Sequence, residues 1–127
     1  MYATVLTLFV IATIVPSFSG AYTTPQNSAT SFKMKGIWTD GDGLTWKLRY
    51  YSGGTINGTA LCPASVCHVK EKWTVTGSES NNHFTLNAVN KKCPFTYVGM
   101  QDSKTSAVAN ETNCAGDTYD NIFMTKS

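Results

Sequence analysis

The sequence lacks the patterns that define several common protein classes. Outside roughly the first twenty residues, no window of helical length spaces its apolar residues 3.6 positions apart, which excludes an α-helical fold. There are two histidines, His68 and His83, and neither has a serine or cysteine nucleophile at motif spacing. No G-x-S-x-G occurs either. Nothing here indicates an enzyme, so we expect none.

The sequence contains few charged residues of either sign. Ten basic and eight acidic residues among 127 give a net charge of +2, and the basic residues are scattered along the chain. A nucleic-acid binder usually concentrates its Lys and Arg on one face or in one run. We therefore expect neither a nucleic acid nor a membrane as partner.

Metal-binding spacings are also missing. The only close cysteine pair is Cys62 and Cys67, which is spaced too widely for a zinc knuckle, and His68 beside it is a lone histidine. An EF-hand beginning at Asp40 would require ligands where Leu44 and Tyr51 stand. We expect no metal and no cofactor.

The N-terminal part of the chain is typical of a secretory signal. An unbroken run of apolar and small residues covers positions 5–15, and Pro16 and a zone of small residues follow. That run is too short to span a bilayer, although no Lys or Arg precedes it, and a membrane anchor is the competing interpretation. We predict a signal peptide over 1–21, a flexible leader over 22–33 and a folded domain over 34–127.

The folded part shows the alternation of half-buried β-strands. In Leu44, Trp46, Leu48 and Tyr50 large apolar residues recur at every second position, and glycine-rich turns flank them. The same design predicts eight strands, near 34–40, 44–51, 55–61, 68–76, 83–89, 95–100, 105–110 and 119–126.

Eight short strands with a turn about every ten residues indicate an all-β fold. An immunoglobulin-like sandwich would place a tyrosine where Thr112 stands and would need longer crossing connections. We therefore predict an eight-stranded antiparallel up-and-down β-barrel.

The side-chain pattern predicts what faces inward. Trp38, Trp46 and Trp73 are expected in the core, although one of them could line a pocket. Glu71 shares a face with Trp73, which would point it into the barrel, but a solvated position near the strand end is the simpler expectation because a buried unpaired carboxylate is costly.

Strands six and eight suggest an interface. If Tyr119, Asn121 and Phe123 face inward, then Ile122 and Met124 face outward. Strand six is apolar on both faces, with Phe95 and Tyr97 on one and Val98 and Met100 on the other. Apolar residues on both faces of strands six to eight suggest a homo-oligomer or another partner.

In a secreted protein the four cysteines are expected to form two disulfides. Up-and-down connectivity places the loops after strands three, five and seven at one end of the barrel, and these loops hold all four cysteines. Of the three pairings that four cysteines allow, this topology favours Cys62–Cys67 and Cys93–Cys114. Asn57 and Asn110 begin N-x-[ST] glycosylation motifs.

Four segments resemble strands of the avidin and streptavidin family. GIWTDGDG is similar to the opening strand and turn, HFTLNA to the fifth strand, PFTYVG to the sixth and GDTYDNIFMTK to the last. The resemblance covers 36–126 in the same order. It implies a closed eight-stranded barrel with a small-ligand site at one mouth, usually for biotin and often in a tetramer.

Carried over residue by residue, the resemblance implies an altered site. Asn121 fits the position that accepts from a ureido nitrogen of the ligand. Asp40 is a carboxylate where a donor is usual, Leu44 replaces an expected serine, and Ala88 replaces an expected aromatic residue.

Our first hypothesis is a secreted, non-enzymatic, small-ligand-binding barrel of avidin type, with biotin or a biotin-like molecule as ligand. Its expected ligand-binding residues are Asp40, Leu44, Trp46, Trp73, Ala88 and Asn121. The alternative is a secreted protein-interaction module that binds a host or partner protein through its disulfide-clamped loops. A third possibility is a lipocalin-like binder of apolar ligands, with a cavity lined by Leu44, Trp46, Phe84 and Leu86.

Overall fold

A computed structural model describes residues 31–90 and 92–127 of the chain. The predicted signal peptide and most of the predicted leader lie outside the described residues. The elements are eight strands and one helical turn: β1 (Gly36–Asp40), β2 (Thr45–Tyr50), β3 (Thr55–Cys62), α1 (Ala64–Cys67), β4 (Glu71–Ser80), β5 (His83–Val89), β6 (Phe95–Gln101), β7 (Ser106–Asn113) and β8 (Thr118–Lys126).

The eight strands form a closed antiparallel barrel in which every strand pairs with its neighbours in the sequence. The barrel closes where β1 meets β8, with Trp38 opposite Lys126 and Asp40 opposite Met124. The predicted up-and-down barrel is therefore confirmed. Closure leaves no strand with an unpaired edge, which removes the main aggregation hazard of a β-sheet.

Two strands run three or four residues past their predicted ends. β4 continues to Ser80, because its polar residues still pair on both sides: Ser78 lies opposite Thr55 of β3 and Thr85 of β5. The expected turn over 77–82 is only Asn81 and Asn82, both with positive φ, as a tight two-residue hairpin requires. β7 likewise runs on to Asn113.

Aromatic side chains fill the interior. Trp38, Trp46 and Tyr97 are fully buried and Trp73 almost so, which confirms the prediction of the three tryptophans as core residues. Phe95 and Tyr97 face inward while Val98 and Met100 face outward, as predicted for strand six.

The expected orientation of strand eight is wrong. Ile122 and Met124 are buried, whereas Phe123 is 69% exposed. The cause is a bulge: β8 has two residues between the partners of Ala109 and Glu111, where β7 has one. One extra residue reverses the inward and outward faces beyond it, because side chains alternate with a period of two.

One end of the barrel, here the lower end, holds the loops that follow β2, β4 and β6. The segment 32–35 lies across it. The backbone N–H of Met34 donates to Glu79 Oε1 at 2.8 Å, and that of Phe32 donates to Asn82 Oδ1 at 2.7 Å. Met34 is completely buried. Phe32 and Met34 are therefore attached to the barrel.

An apolar patch lies on the outer surface of β6, β7 and β8. Met100 pairs with Val108, and Val108 pairs with Phe123, so that the three side chains cross three strands in register. Met100 and Phe123 are exposed, and Val108 between them is half-buried. Apolar side chains grouped in this way are typical of interaction surfaces. The expected self-association through strands six to eight stays a prediction. Within 31–90 and 92–127, no helix has the length and hydrophobicity needed to cross a membrane.

Gly77 provides a test of how tightly the strands approach. A Cβ at this position would collide with the backbone carbonyl of Thr85 on β5, which cannot move without breaking the strand pairing. We expect Gly77→Ala to lower the free energy of unfolding by about 1–3 kcal/mol, as overpacking does. Urea unfolding followed by tryptophan fluorescence measures this.

Gly41→Ala is the matched control, because no atom lies within 4 Å of a Cβ built there and its φ is not positive. Its stability should stay within about 0.5 kcal/mol of the parent. Equal stabilities for the two variants would show that the close approach at Gly77 is unimportant.

Candidate ligand cavity at the barrel mouth

The other end of the barrel, here the mouth, holds the loops that follow β1, β3, β5 and β7. Two disulfides link these loops. Cys62 bonds to Cys67 with a Cα–Cα distance of 6.0 Å, and Cys93 bonds to Cys114 with a Cα–Cα distance of 5.3 Å. The predicted pairing is therefore confirmed. The first disulfide closes the loop that contains α1, and the second ties two neighbouring loops together.

The carboxylate of Asp40 organises the residues below the mouth. Its Oδ1 accepts hydrogen bonds from the backbone N–H groups of Asp42 (2.9 Å) and Leu44 (3.0 Å). Its Oδ2 accepts from Trp46 Nε1 at 2.7 Å and from the Tyr97 hydroxyl at 2.8 Å. Both oxygens are thus occupied by the protein itself, which fixes the β1–β2 turn against β2 and β6.

Above this carboxylate lies a cavity of about 230 Å³. Leu44, Trp73, Phe95 and Tyr97 form its apolar lining. Phe95 packs edge-on against Trp73, with ring centroids 5.2 Å apart, and Trp73 Nε1 donates to the carbonyl of Cys93 at 3.2 Å. The aromatic lining is therefore held in place by ring packing and by one hydrogen bond to a disulfide-linked loop.

Three carboxyl groups line the same cavity: Asp42, Glu71 and Glu111. Glu71 Oε2 lies 3.6 Å from Lys92 Nζ, which balances its charge. Glu111 has no such partner. Its pKa rises from an ordinary value near 4.5 to about 7, because the group is partly desolvated, hydrogen-bonds to the Asp42 side chain and feels the charges of Asp42 and Asp40.

Near neutral pH the Asp42–Glu111 pair therefore exchanges one proton with solvent. The Tyr97 hydroxyl lies 3.3 Å from Asp42 Oδ2 as well as donating to Asp40. Burial and the charge of Asp40 raise the pKa of Tyr97, so the phenol stays protonated and acts only as a donor to these carboxylates. The pair consequently offers acceptor oxygens to whatever enters the cavity, because the proton it binds is engaged between the two carboxyl groups.

The structure separates the predicted ligand-binding residues. Leu44 and Trp73 line the cavity. Trp46 and Ala88 are fully buried in the core, and Asp40 lies below the cavity with both oxygens engaged. Asn121 is exposed, because it sits at the β8 bulge with a φ of 58° and its backbone N–H donates to Asn110 Oδ1 at 3.1 Å.

The expected position of Glu71 in solvent is wrong, since it faces inward at the mouth and lines the cavity. Of the residues expected for an apolar lipocalin-like cavity, only Leu44 lines it; Trp46, Phe84 and Leu86 are buried in the core.

Sequence reasoning missed five residues of the lining: Asp42, Phe95, Tyr97, Glu111 and Asn113. Period-two alternation from Ala107 and Ala109 reaches Glu111 and Asn113, and would have placed both inward had strand seven not been ended at residue 110. Phe95 and Tyr97 were placed on one face, but nothing in the sequence brought that face next to Trp73. Asp42 lies in a turn, where no alternation of residues indicates which way a side chain points.

The two glycosylation motifs have exposed asparagines, Asn57 on β3 and Asn110 on β7, and their use stays a prediction. Among the described residues, no group of three or more His, Cys, Asp or Glu side chains is arranged to hold a metal ion.

Comparison of this chain with protein-family models, with curated proteins and with solved structures finds no match. Membership of the avidin family stays a prediction.

Asp40→Asn tests the organising role of this carboxylate. An asparagine side chain has one oxygen and one NH₂ group, so only its oxygen can accept hydrogen bonds. At least one of the present donors would then face the NH₂ group; these donors are Trp46 Nε1, Tyr97 Oη, Asp42 N and Leu44 N. We expect the free energy of unfolding to fall by about 2–4 kcal/mol, the cost of one or two unmade hydrogen bonds to a charged group. Urea unfolding measures it. Asp117→Asn, in the exposed β7–β8 turn, is the control and should be nearly neutral.

Glu111→Gln tests the proton held at the mouth. Because the folded-state pKa of Glu111 is about 7 and the unfolded value is near 4.5, the folded protein binds more protons between these pH values, so stability falls as pH rises through this window. Glutamine cannot ionise and should remove this loss.

We expect the stability of Glu111→Gln relative to the parent to be greater at pH 8 than at pH 5 by on the order of 1 kcal/mol, a reduced figure because the group is partly exposed. Urea unfolding at both pH values measures the difference, with Asp120→Asn as the control for loss of one acid. A pH-independent difference would contradict the assignment.

Proposed function

We propose that this protein binds a small molecule in the cavity at the disulfide-clamped mouth, without catalysing a reaction. The observation that carries the proposal is the cavity's composition: one side is aromatic, through Trp73, Phe95 and Tyr97, and the other carries the Asp42–Glu111 carboxyl pair. At about 230 Å³ it is smaller than the roughly 300–1,000 Å³ of typical drug-sized sites. A compact ligand fits this volume.

The charges in the cavity favour a ligand that donates hydrogen bonds. Lys92 balances Glu71, whereas no cation balances the Asp42–Glu111 pair among the described residues. A positively charged amine would pair with these carboxyls, and its apolar body would contact the aromatic rings. Ring faces also attract cations, by about 0.5–2 kcal/mol. We infer that the preferred ligand has an apolar body and an amine or similar N–H head.

Biotin or a biotin-like molecule is the second ligand candidate, and its support is the sequence resemblance. A ureido ring has two N–H groups, which can donate hydrogen bonds to carboxylates. Its carbonyl oxygen would need a donor, and Asn113 is the lining residue whose amide can supply one. Biotin carries a net negative charge, and the three carboxyl groups of the lining disfavour it relative to an amine.

Binding of a partner protein through the clamped loops is the alternative function. Val66 in α1 and Val69, two residues after α1, are both exposed and flank Cys67 in the sequence. Rigid loops that expose apolar side chains suit protein recognition, because little conformational entropy is lost on binding.

We also propose that the protein is secreted. The two disulfides are compatible with an extracellular location, because such bonds persist in oxidising compartments.

Titration calorimetry at pH 7.5 with three probes tests the proposal: a phenylalkylamine, the phenylalkyl carboxylate of the same length, and biotin. We expect the amine to bind at least tenfold more tightly than the carboxylate, and the double variant Asp42→Asn/Glu111→Gln to weaken amine binding about tenfold, equivalent to 1.4 kcal/mol. Asp117→Asn/Asp120→Asn, which removes two exposed acids, should bind like the parent.

Retention on biotin-agarose that free biotin abolishes, without measurable amine binding, would replace the amine with biotin as the ligand. If none of the three probes binds, and the protein also passes through biotin-agarose, small-molecule binding is rejected in favour of the protein-interaction alternative.

A further inference from the structure

Four basic residues lie together on the outer surface of β2–β4, although they come from two stretches of the sequence about twenty residues apart. Lys47 and Arg49 point outward from β2, and Lys72 points outward from β4, just after the exposed Lys70. The register brings them close: Lys47 lies opposite Thr59 of β3, and the next outward residue of β3, Leu61, lies opposite Lys72. We call these four residues the basic face.

No acidic residue neutralises the basic face. All eight Asp and Glu of the chain fall within the described residues. Six are at the mouth end, namely Asp40, Asp42, Glu71, Glu111, Asp117 and Asp120, and two are at the lower end, namely the buried Glu79 and Asp102 in the loop after β6. Within 31–90 and 92–127, Lys92 and Glu71 form the one ion pair. The positive potential of the face is therefore uncompensated.

The surface between these cations is grooved and carries two threonine hydroxyl groups. One groove, of about 200 Å³, is lined by Lys47, Lys70 and Lys72 together with Thr45 and Thr59. A second, of about 310 Å³, shares Lys47 and Thr59 with it and extends to Arg49. The two form one trough across the strands.

Strand geometry sets the spacing of the charges. Neighbouring strands are about 4.8 Å apart, and alternate residues along a strand are about 7 Å apart. Lys47 and Lys72 are separated by two strands and by two residues along them, so their Cα atoms are on the order of 12 Å apart. Cations repeated at about 7–12 Å fit a linear polymer that carries one anion in each repeating unit. They fit a single small anion less well.

We infer that the basic face binds a sulfated polysaccharide. The charge is complementary, threonine hydroxyls can donate to sulfate oxygens, and the disulfides are compatible with an extracellular compartment, in which such polymers occur. Single-stranded nucleic acid is less favoured, because no aromatic side chain lines either groove for bases to stack on. A membrane is less favoured because both grooves lack the aromatic residues that anchor proteins at lipid interfaces.

The basic residues looked scattered in the sequence, and the barrel brings four of them onto one surface. This site is separate from the cavity at the mouth. The small-molecule proposal can therefore fail while this one holds, and the reverse is equally true.

Binding to heparin and to chemically desulfated heparin tests the inference, with enzymatic removal of any glycan on Asn57 beforehand because Asn57 lies opposite Arg49. We expect measurable affinity for heparin that falls as salt rises, and at least tenfold weaker binding to the desulfated polymer. Lys47→Ser/Lys72→Ser should bind heparin at least tenfold more weakly. In this variant, the plot of log affinity for heparin against log salt concentration should also become less steep by about two, one for each lost contact between a lysine and a sulfate.

Lys35→Ser/Lys104→Ser is the control, because it removes the same charge at the lower end and in the loop after β6. Thermal melts should show that both double variants are folded. Equal weakening by the two pairs, equal binding to the desulfated polymer, or tighter binding to single-stranded DNA or to anionic vesicles than to heparin would each overturn the inference.

Discussion

The carboxylate of Asp40 accepts hydrogen bonds from two backbone amides, an indole and a phenol, which belong to the β1–β2 turn, β2 and β6. Because it is the point where the first hairpin and the sixth strand meet, it fixes the position of Trp46 and Tyr97. Phe95 packs against both of these rings, and Trp73 packs in turn against Phe95. The aromatic side of the cavity thus depends on a carboxylate that the cavity does not contact. This explains why Asp40 is better understood as a supporting residue than as a ligand-binding one.

The bulge in β8 has a comparable influence on the opposite side of the barrel. By adding one residue opposite Asn110, it turns Ile122 and Met124 into the core and Phe123 outward. It also exposes Asn121, the residue that the family resemblance favoured most as a ligand contact. A single inserted residue therefore decides both the apolar patch outside and the absence of Asn121 from the cavity.

The charges of the protein are divided between two places. The acids that line the cavity face inward at the mouth, whereas the basic face lies outside on β2–β4. Strand alternation makes this division possible, because adjacent residues of one strand point to opposite faces: Glu71 points into the barrel and Lys72 away from it. Because the two sites carry opposite charges, the small net charge of +2 indicates neither of them. Each site is consistent with a ligand of opposite charge, a small amine inside and a sulfated polymer outside.

The architecture was accessible from the sequence because its signals are local. Period-two alternation identified all eight strands, and their number and short connections indicated an up-and-down barrel. From that connectivity alone, the loops with the cysteines had to lie at one end, which led to the pairing of Cys62 with Cys67 and of Cys93 with Cys114. The burial of the three tryptophans followed from the same alternation.

The contents of the site were decided by tertiary structure. The contact of Glu111 with Asp42, the contact of Trp73 with Phe95 and the placing of Lys47 and Lys72 on one face depend on the register between strands and on how the sheet curves to close. Register across the barrel is set by many pairings at once and by the bulge in β8, and no short stretch of sequence encodes it. The sequence by itself therefore determined which residues alternate along strands, which residues form turns and which cysteines cross-link. Only the closed barrel determined which of them share a cavity or a face, because that requires residues from different strands to come within contact distance.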